Sequence, residues 1–357
     1  MSENIGKIIE DAIKKAMKDR GEVNVLIAGK TGVGKSTLIN AVFQGNFATT
    51  GQGKPVTQET REIKKDGIPL TLYDTRGLEL QKFDETFKEL ESFVTQKNND
   101  SDPMKHIHMA WICIDESSRR VEDAEIELCK ILSKHMPVIV IITKASADKG
   151  FRLEVQNLLK SAKNVIRVNS LAQTLDDGHI IKPTGLNELV ELAMEIVPEG
   201  QKNAFVAAQR VSITQKKNKS HAIVVAAASA AAGAGAVPIP FSDAALLVPI
   251  QVGMLAGITA VFGFDLNKSF LSTLVSSTIT GAGATLIGKT IVSNLLKMFP
   301  GAGSIAGGAI AAATASALTV AFGEAYISTL SYLLKDKDIT EISQDDILAE
   351  LKKRYEK

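Results

Sequence analysis

Val25-Leu26-Ile27-Ala28-Gly29-Lys30-Thr31-Gly32-Val33-Gly34-Lys35-Ser36 decides the fold. A short apolar run enters a glycine turn, and a helical pattern opens at Lys35. The spacing is G-x-x-x-x-G-K-S in a strand, loop and helix context. Glycines let the backbone curl so that successive N–H groups and a helix N-terminus face phosphate oxygens. The expected phosphate cradle is Gly29, Lys30, Thr31, Gly32, Val33, Gly34, Lys35, Ser36 and Thr37. Lys35 reaches the β/γ-phosphates as a point charge, and the Ser36 hydroxyl ligates Mg²⁺.

Outward from this turn, Leu70-Thr71-Leu72-Tyr73-Asp74-Thr75-Arg76-Gly77 is a second strand with a polar end. It delivers Asp74 to the phosphate edge of the sheet, where a carboxylate holds Mg²⁺ through water, while Gly77 lets a backbone N–H approach the γ-phosphate. Between the two strands, residues 49–60 are polar and glycine-containing, the composition of a segment that orders around a γ-phosphate. Thr57 is the expected magnesium ligand there, with Thr60 as the alternative. Arg76 either stabilises charge in cis or forms a surface ion pair.

Short apolar runs alternating with amphipathic stretches over residues 22–198 predict a parallel sheet wrapped by helices. The predicted strands are 23–28, 68–73, 107–114, 138–142 and 165–168, with the more polar 60–65 at an edge. The predicted helices are 35–43, 85–95, 121–134, 153–162 and 186–196. Pro198-Glu199-Gly200 then punctuates the chain and marks a domain end. Ahead of the first strand, Ile5, Ile8, Ile9, Ala12, Ile13, Ala16 and Met17 recur at helical spacing, so residues 1–21 are expected as an amphipathic helix docked on the protein's own surface.

These elements resemble the G1, G2 and G3 motifs of the translation-factor-related class of small GTPases, in particular Era-like or septin-like G domains. The resemblance covers residues 22–198 and implies an α/β P-loop G domain, a mixed six-stranded sheet flanked by five helices. It also implies GTP/GDP and Mg²⁺ as cofactors. In such domains the base is read by [NT]-K-x-D, whose aspartate accepts hydrogen bonds from guanine. Here the fifth strand ends in Thr143-Lys144-Ala145-Ser146: Thr143 and Lys144 match, and Ser146 does not. A neutral hydroxyl does not replace a charge-assisted acceptor, which lowers the expected guanine affinity unless Asp148 takes the role. The last motif of the family corresponds loosely to Asn169-Ser170-Leu171, with Ser170 at the base. Leu78 stands where a water-orienting glutamine is common, so slow hydrolysis accelerated by self-association is expected.

The second half follows different rules. Between Ala222 and Gly323 the only charged residues are Asp243, Asp265, Lys268, Lys289 and Lys297. Four uncharged stretches, 222–242, 244–264, 269–288 and 298–323, each approach the ~20 residues that cross a hydrocarbon core. Their richness in alanine and glycine lowers the insertion energy and favours close helix contact, as at Gly303-x-x-x-Gly307. An all-α hydrophobic C-terminal domain at 199–335 follows, either membrane-associated or a soluble bundle, with a polar helix over 336–357 capped by Ser343. Residues 205–335 also resemble a hydrophobic domain of unknown function that follows G domains in some bacterial proteins. Arg210, Lys216, Lys217 and Lys219 ahead of the first stretch suit the cytoplasmic face of an inner membrane.

Net charge is +1, from 41 Lys+Arg against 40 Asp+Glu, which gives no clustered basic excess for a nucleic-acid partner. Cys113 and Cys129 sit among apolar neighbours and read as core residues of a reduced compartment. The histidines lack metal-ligand spacing with them, and His106 and His108 read as sheet positions. The expected function is a Mg²⁺-dependent GTP switch with a cytoplasmic G domain, membrane lipid and a second copy of the chain as expected partners, and an unidentified protein effector. The alternative is an assembly GTPase whose nucleotide cycle controls oligomerisation.

Overall fold

A computed structural model describes residues 2–47, 54–55, 60–75, 83–235, 243–278 and 307–355. Two compact units divide the chain: Gly21–Ser212, and Met1–Arg20 together with Ile213–Lys357. The chain therefore starts in the second unit, passes through the first, and returns.

The first unit is built on a sheet. Its strands are β1 (Val23–Ala28), β2 (Lys54–Pro55), β3 (Thr60–Lys64), β4 (Leu70–Thr75), β5 (Met109–Asp115), β6 (Val138–Thr143) and β7 (Asn164–Arg167), in the spatial order β2-β3-β4-β1-β5-β6-β7. The six expected strands are all present, and the two-residue β2 extends the edge beyond β3. Strands β4, β1, β5, β6 and β7 run parallel, whereas β3 is antiparallel to β4. The flanking helices are α2 (Lys35–Val42), α3 (Phe83–Asn98), α4 (Asp123–Ser133), α5 (Phe151–Leu158), α6 (Leu186–Ile196) and α7 (Lys202–Ala208). A small hairpin of β8 (Gln173–Thr174) and β9 (Ile180–Ile181) lies between β7 and α6.

Parallel strands buried on both faces divide their side chains between two cores. On β1, Val23, Val25 and Ile27 enter one core with Trp111 and Ile139, while Leu26 and Ala28 enter the other with Leu128, Ile142 and Val155. Phe43 stacks on Trp111 with ring centroids 5.4 Å apart, and Phe205 of α7 meets Phe43 edge-on at 6.0 Å. The sheet unit takes in α7 and runs to Ser212, twelve residues beyond the Pro198-Glu199-Gly200 punctuation. Ala204, Phe205, Val206, Ala207 and Ala208 are buried, and an apolar run of that density stays with the core it fills. The chain path then threads β4 to one side of β1 and β5 to the other, so the topological switch lies at β1. In open α/β sheets the ligand crevice forms at that point, beyond the carboxyl ends of the strands.

The second unit is helical: α1 (Ser2–Arg20), α8 (Ile213–Gly235), α9 (Asp243–Phe262), α10 (Lys268–Thr278), α11 (Gly307–Leu333) and α12 (Gln344–Tyr355). Ile9 and Ala16 of α1 share a core with Phe262, Phe270, Tyr326 and Leu351, so α1 docks on the protein's own apolar helices. Close helix contact depends on small residues. A Cβ at Gly323 of α11 would overlap the Val224 side chain of α8 and lie 3.1 Å from Met254 Sδ of α9. Polar groups inside this core pair with one another: Thr259 Oγ1 and Tyr326 OH lie 2.8 Å apart, and buried Lys216 Nζ donates to Phe262 O at 3.1 Å. At the C-terminal end, Ser343 Oγ accepts from Asp346 N at 3.1 Å and caps α12. Of the four uncharged stretches, 236–242 and 279–306 fall outside the described residues, and with them Gly303. Among the described residues no helix is long and apolar enough to cross a membrane.

Candidate functional site

At the carboxyl end of β1 the chain turns through Gly29, Gly32 and Gly34, with φ of 141°, 80° and 96°. Gly29 is fixed by space as well as by angle, since a Cβ there would lie 2.5 Å from Cys113 O of β5. Gly34 caps α2 in the left-handed region, and Leu38 N donates to its carbonyl at 2.9 Å, the first turn of the helix. An N-terminus opened this way leaves its N–H groups directed out of the turn. Lys35 Nζ folds over the loop, donating to Gly29 O at 2.6 Å and Lys30 O at 3.0 Å. Lys30 itself pairs with Glu122, ahead of α4.

The β1–β4 register sets Asp74 opposite Ile27, two residues before Gly29. Asp74 Oδ1 is buried and accepts no hydrogen bond from the described residues. Burial pushes its carboxyl above the ordinary range, and the Lys35 ammonium acts in the opposite direction. A buried carboxylate oxygen with no donor among the described residues, beside a loop whose helix carries Ser36 in its first turn, is the hard oxygen chemistry that Mg²⁺ takes. The residues present therefore fit that ion. Thr60 is a sheet residue in β3, paired with Thr75 across the strands. Thr57, Arg76, Gly77 and Leu78 lie outside the described residues.

The loop after β6 is tied to the phosphate turn. Thr143 is buried, and its Oγ1 donates to Val33 O at 2.5 Å, with Ile114 O at 3.1 Å. Lys144 adopts φ 53° and its Nζ pairs with Asp115 Oδ2 at 2.6 Å. Ala145 N donates to Val168 O at 3.2 Å, which brings the 143–146 loop beside Asn169 and half-buried Ser170. Asn169 is held by its antiparallel bridge to Thr184. The structure thus brings together the glycine turn, Lys35, Asp74, Thr143, Lys144 and the Ser170 loop at one end of the sheet.

Sequence reasoning missed the group that shapes this loop. Glu116, in the turn after β5, is 1% exposed. Its Oε2 accepts from Ser146 N at 2.5 Å and Ala147 N at 2.9 Å, and its Oε1 accepts from Arg167 Nε at 2.6 Å. Burial raises the carboxyl, but Arg167 and the two N–H groups outweigh it and hold Glu116 down at about 2. Asp148, the alternative base reader, accepts from Arg152 N at 2.8 Å in the first turn of α5. Arg119, in the left-handed region at φ 48°, donates to the carbonyls of Ala147 and Asp148.

His108 serves the sheet, with its Nδ1 accepting from Asn24 N at 2.9 Å and its Nε2 3.0 Å from Pro103 O. Burial lowers its basicity. Both cysteines are buried free thiols, pushed up by burial to about 12 at Cys113 and about 11 at Cys129.

Residues 24–144 match the 50S ribosome-binding GTPase family, and residues 201–355 match a domain of unknown function, DUF697. Among curated proteins, human Septin-9 is 30% identical over 40% of this chain and 28% of its own length. Rat Septin-9 is 28% identical over 40% of this chain and 29% of its own length. The tRNA modification GTPase MnmE of Clostridioides difficile (strain 630) is 28% identical over 47% of this chain and 33% of its own length. The chain spans less than a third of the septin-9 proteins it matches. Residues 24–144 of the sheet unit form a P-loop GTPase domain, and the DUF697 match that follows begins at residue 201, within the last residues of that unit.

Proposed function

We propose that this protein hydrolyses GTP to GDP and phosphate as a Mg²⁺-dependent conformational switch, working at the cytoplasmic face of a membrane. The observation that carries the proposal is Asp74, whose buried carboxylate oxygen has no donor among the described residues and stands level with the end of β1, where Lys35 crosses the glycine turn. Backbone N–H groups of Gly29–Ser36 and the Lys35 ammonium hold the β- and γ-phosphates. Ser36, Thr57 and Asp74 are the residues that would hold Mg²⁺, which when bound neutralises charge developing on the transferred phosphoryl group. Gly77 offers its N–H to the γ-phosphate, and Arg76 stabilises charge from the same segment.

A hydrogen-bonded clamp supports a route from this site to the helical unit. Gln44, at the end of α2, donates through its backbone N to Ala208 O at 2.9 Å and through Nε2 to Ala207 O at 2.6 Å, and Arg210 N donates to Val42 O at 2.8 Å. The clamp joins the segment that leads into residues 48–59 to the segment that leads into α8. A nucleotide-dependent change that reaches Gln44 would act on both segments. Alanine- and glycine-rich helices next to Lys217 and Lys219 support work at anionic lipid.

The similarity to septins favours a second reading, an assembly GTPase whose turnover depends on self-association. Phosphate release by full-length protein, measured over a range of protein concentration with and without phosphatidylglycerol vesicles, separates the two. The membrane switch predicts turnover and sedimentation that respond to vesicles. The assembly reading predicts turnover per molecule that rises with concentration alone. Lys35→Ala protein retaining undiminished GTP binding and turnover overturns both.

A further inference from the structure

The loop that follows β6 stands beside the phosphate turn, because Thr143 Oγ1 donates to Val33 O across the gap. A nucleoside whose phosphates sit in that turn presents its base to residues 144–148. Each of Glu116, Asp148 and Asp115 holds at least one bond within the protein. Glu116 accepts two backbone N–H groups and the Arg167 guanidinium from beneath the loop. Asp148 Oδ1 caps α5 through Arg152 N, with Arg167 Nε 3.8 Å away. Asp115 accepts from Ser117 N at 2.9 Å, from Ser117 Oγ at 2.8 Å and from Lys144 Nζ at 2.6 Å. The Glu116 bonds also occupy the N–H groups of Ser146 and Ala147. The Ser146 hydroxyl itself donates to Glu116 Oε2 at 3.4 Å, so position 146 offers a base edge no charge of its own.

We propose, resting on the nucleotide assignment above, that this site takes purine nucleoside triphosphates without reading the 2-amino group, so that GTP and ITP bind alike and XTP is tolerated. The chemistry is one of charge. A carboxylate facing the base rewards the ring N–H and 2-amino donors of guanine and repels the 2-oxo group of xanthine. A site built to bond a substrate N–H rejects an analogue lacking it strongly, whereas a site without that partner has no group left unpaired when the N–H is missing. Ser146 leaves the site in the second class, and the buried Glu116–Arg167 pair holds it there by fixing the loop from behind.

The test is competition by GTP, ITP, XTP and ATP against a fluorescent GDP analogue, with Mg²⁺ and full-length protein. The wild-type GTP-to-ITP affinity ratio is expected below about tenfold, a difference of under about 1.4 kcal/mol. Ser146→Asp is expected to raise that ratio by about tenfold or more and to weaken XTP. A wild-type ratio of tenfold or more overturns the proposal, and so does a folded Ser146→Asp variant with an unchanged ratio. Where Ser146→Asp does not fold, the wild-type ratio decides alone. Absence of binding by every triphosphate overturns the GTPase assignment as well, whereas strong preference for GTP overturns only the relaxed base reading.

Discussion

In the sheet unit, backbone turns decide where the functional atoms lie; in the helical unit, side-chain size decides how closely the backbones approach. Gly29 has a left-handed φ and no room for a Cβ against Cys113 O, and Asp74 reaches the same place by register. Gly323 sits in an ordinary helix, and its constraint is the Val224 side chain across the α8–α11 contact. One unit thus concentrates its chemistry at a single edge, and the other distributes small residues along its contacts. A defect in the first should cost ligand binding at an intact fold, and a defect in the second should cost packing away from any ligand.

The sharpest way to break that contrast is Lys35→Ala. It is expected to weaken GTP binding by at least about a hundredfold, consistent with loss of charge-assisted bonds, while the melting temperature without nucleotide stays unchanged. A large fall in melting temperature would place Lys35 in the fold rather than the site. Next, Ile9→Ala removes a side chain 1% exposed in the helical core and should destabilise that unit by about 2–5 kcal/mol. Hydrogen exchange is expected to quicken in α9 and α10 and to stay slow in β1 and β5; equal quickening in both would show one cooperative body.

Glu116→Gln probes the sheet unit without touching phosphate. Its folded carboxyl at about 2 lies below the ordinary 4.5, so its contribution is complete above the unfolded value and is lost as pH falls from about 5 toward 2. The loss amounts to about 3 kcal/mol at most. Urea unfolding of the Gln variant should be weaker at pH 7 and flatter across that window. A smaller effect, about 2 kcal/mol, is expected for Gly323→Val, whose added methyls meet Val224. Calorimetry with and without GTP checks it: nucleotide should still stabilise the variant by the wild-type increment.

Legibility in the sequence divided along the same line. The strands and the glycine turn were readable because each is a contiguous pattern, an apolar run or a fixed spacing. The Glu116–Arg167 pair was not, since its members stand 51 residues apart and each looks like an ordinary surface charge until β5 and β7 are placed in one sheet. Ser146 was visible as a departure from the base motif, but the bonds that tie Glu116 beneath the loop and Asp148 to α5 exist only in three dimensions. The α8 helix begins at Ile213, well ahead of the uncharged stretch that marked it, because Lys216 is buried and donates to the C-terminal carbonyl of α9. Charge alone therefore sets that boundary too late.

The excursion of the chain out of the helical unit and back carries a consequence for biosynthesis. The α1 helix leaves the ribosome roughly 190 residues before Ile213, which begins the segment it packs on. At ~5–20 residues per second that is a wait of roughly ten to forty seconds, during which the nucleotide-binding unit can be completed. The apolar stripe of Ile5, Ile9 and Ile13 is thus made well before the segments it packs on.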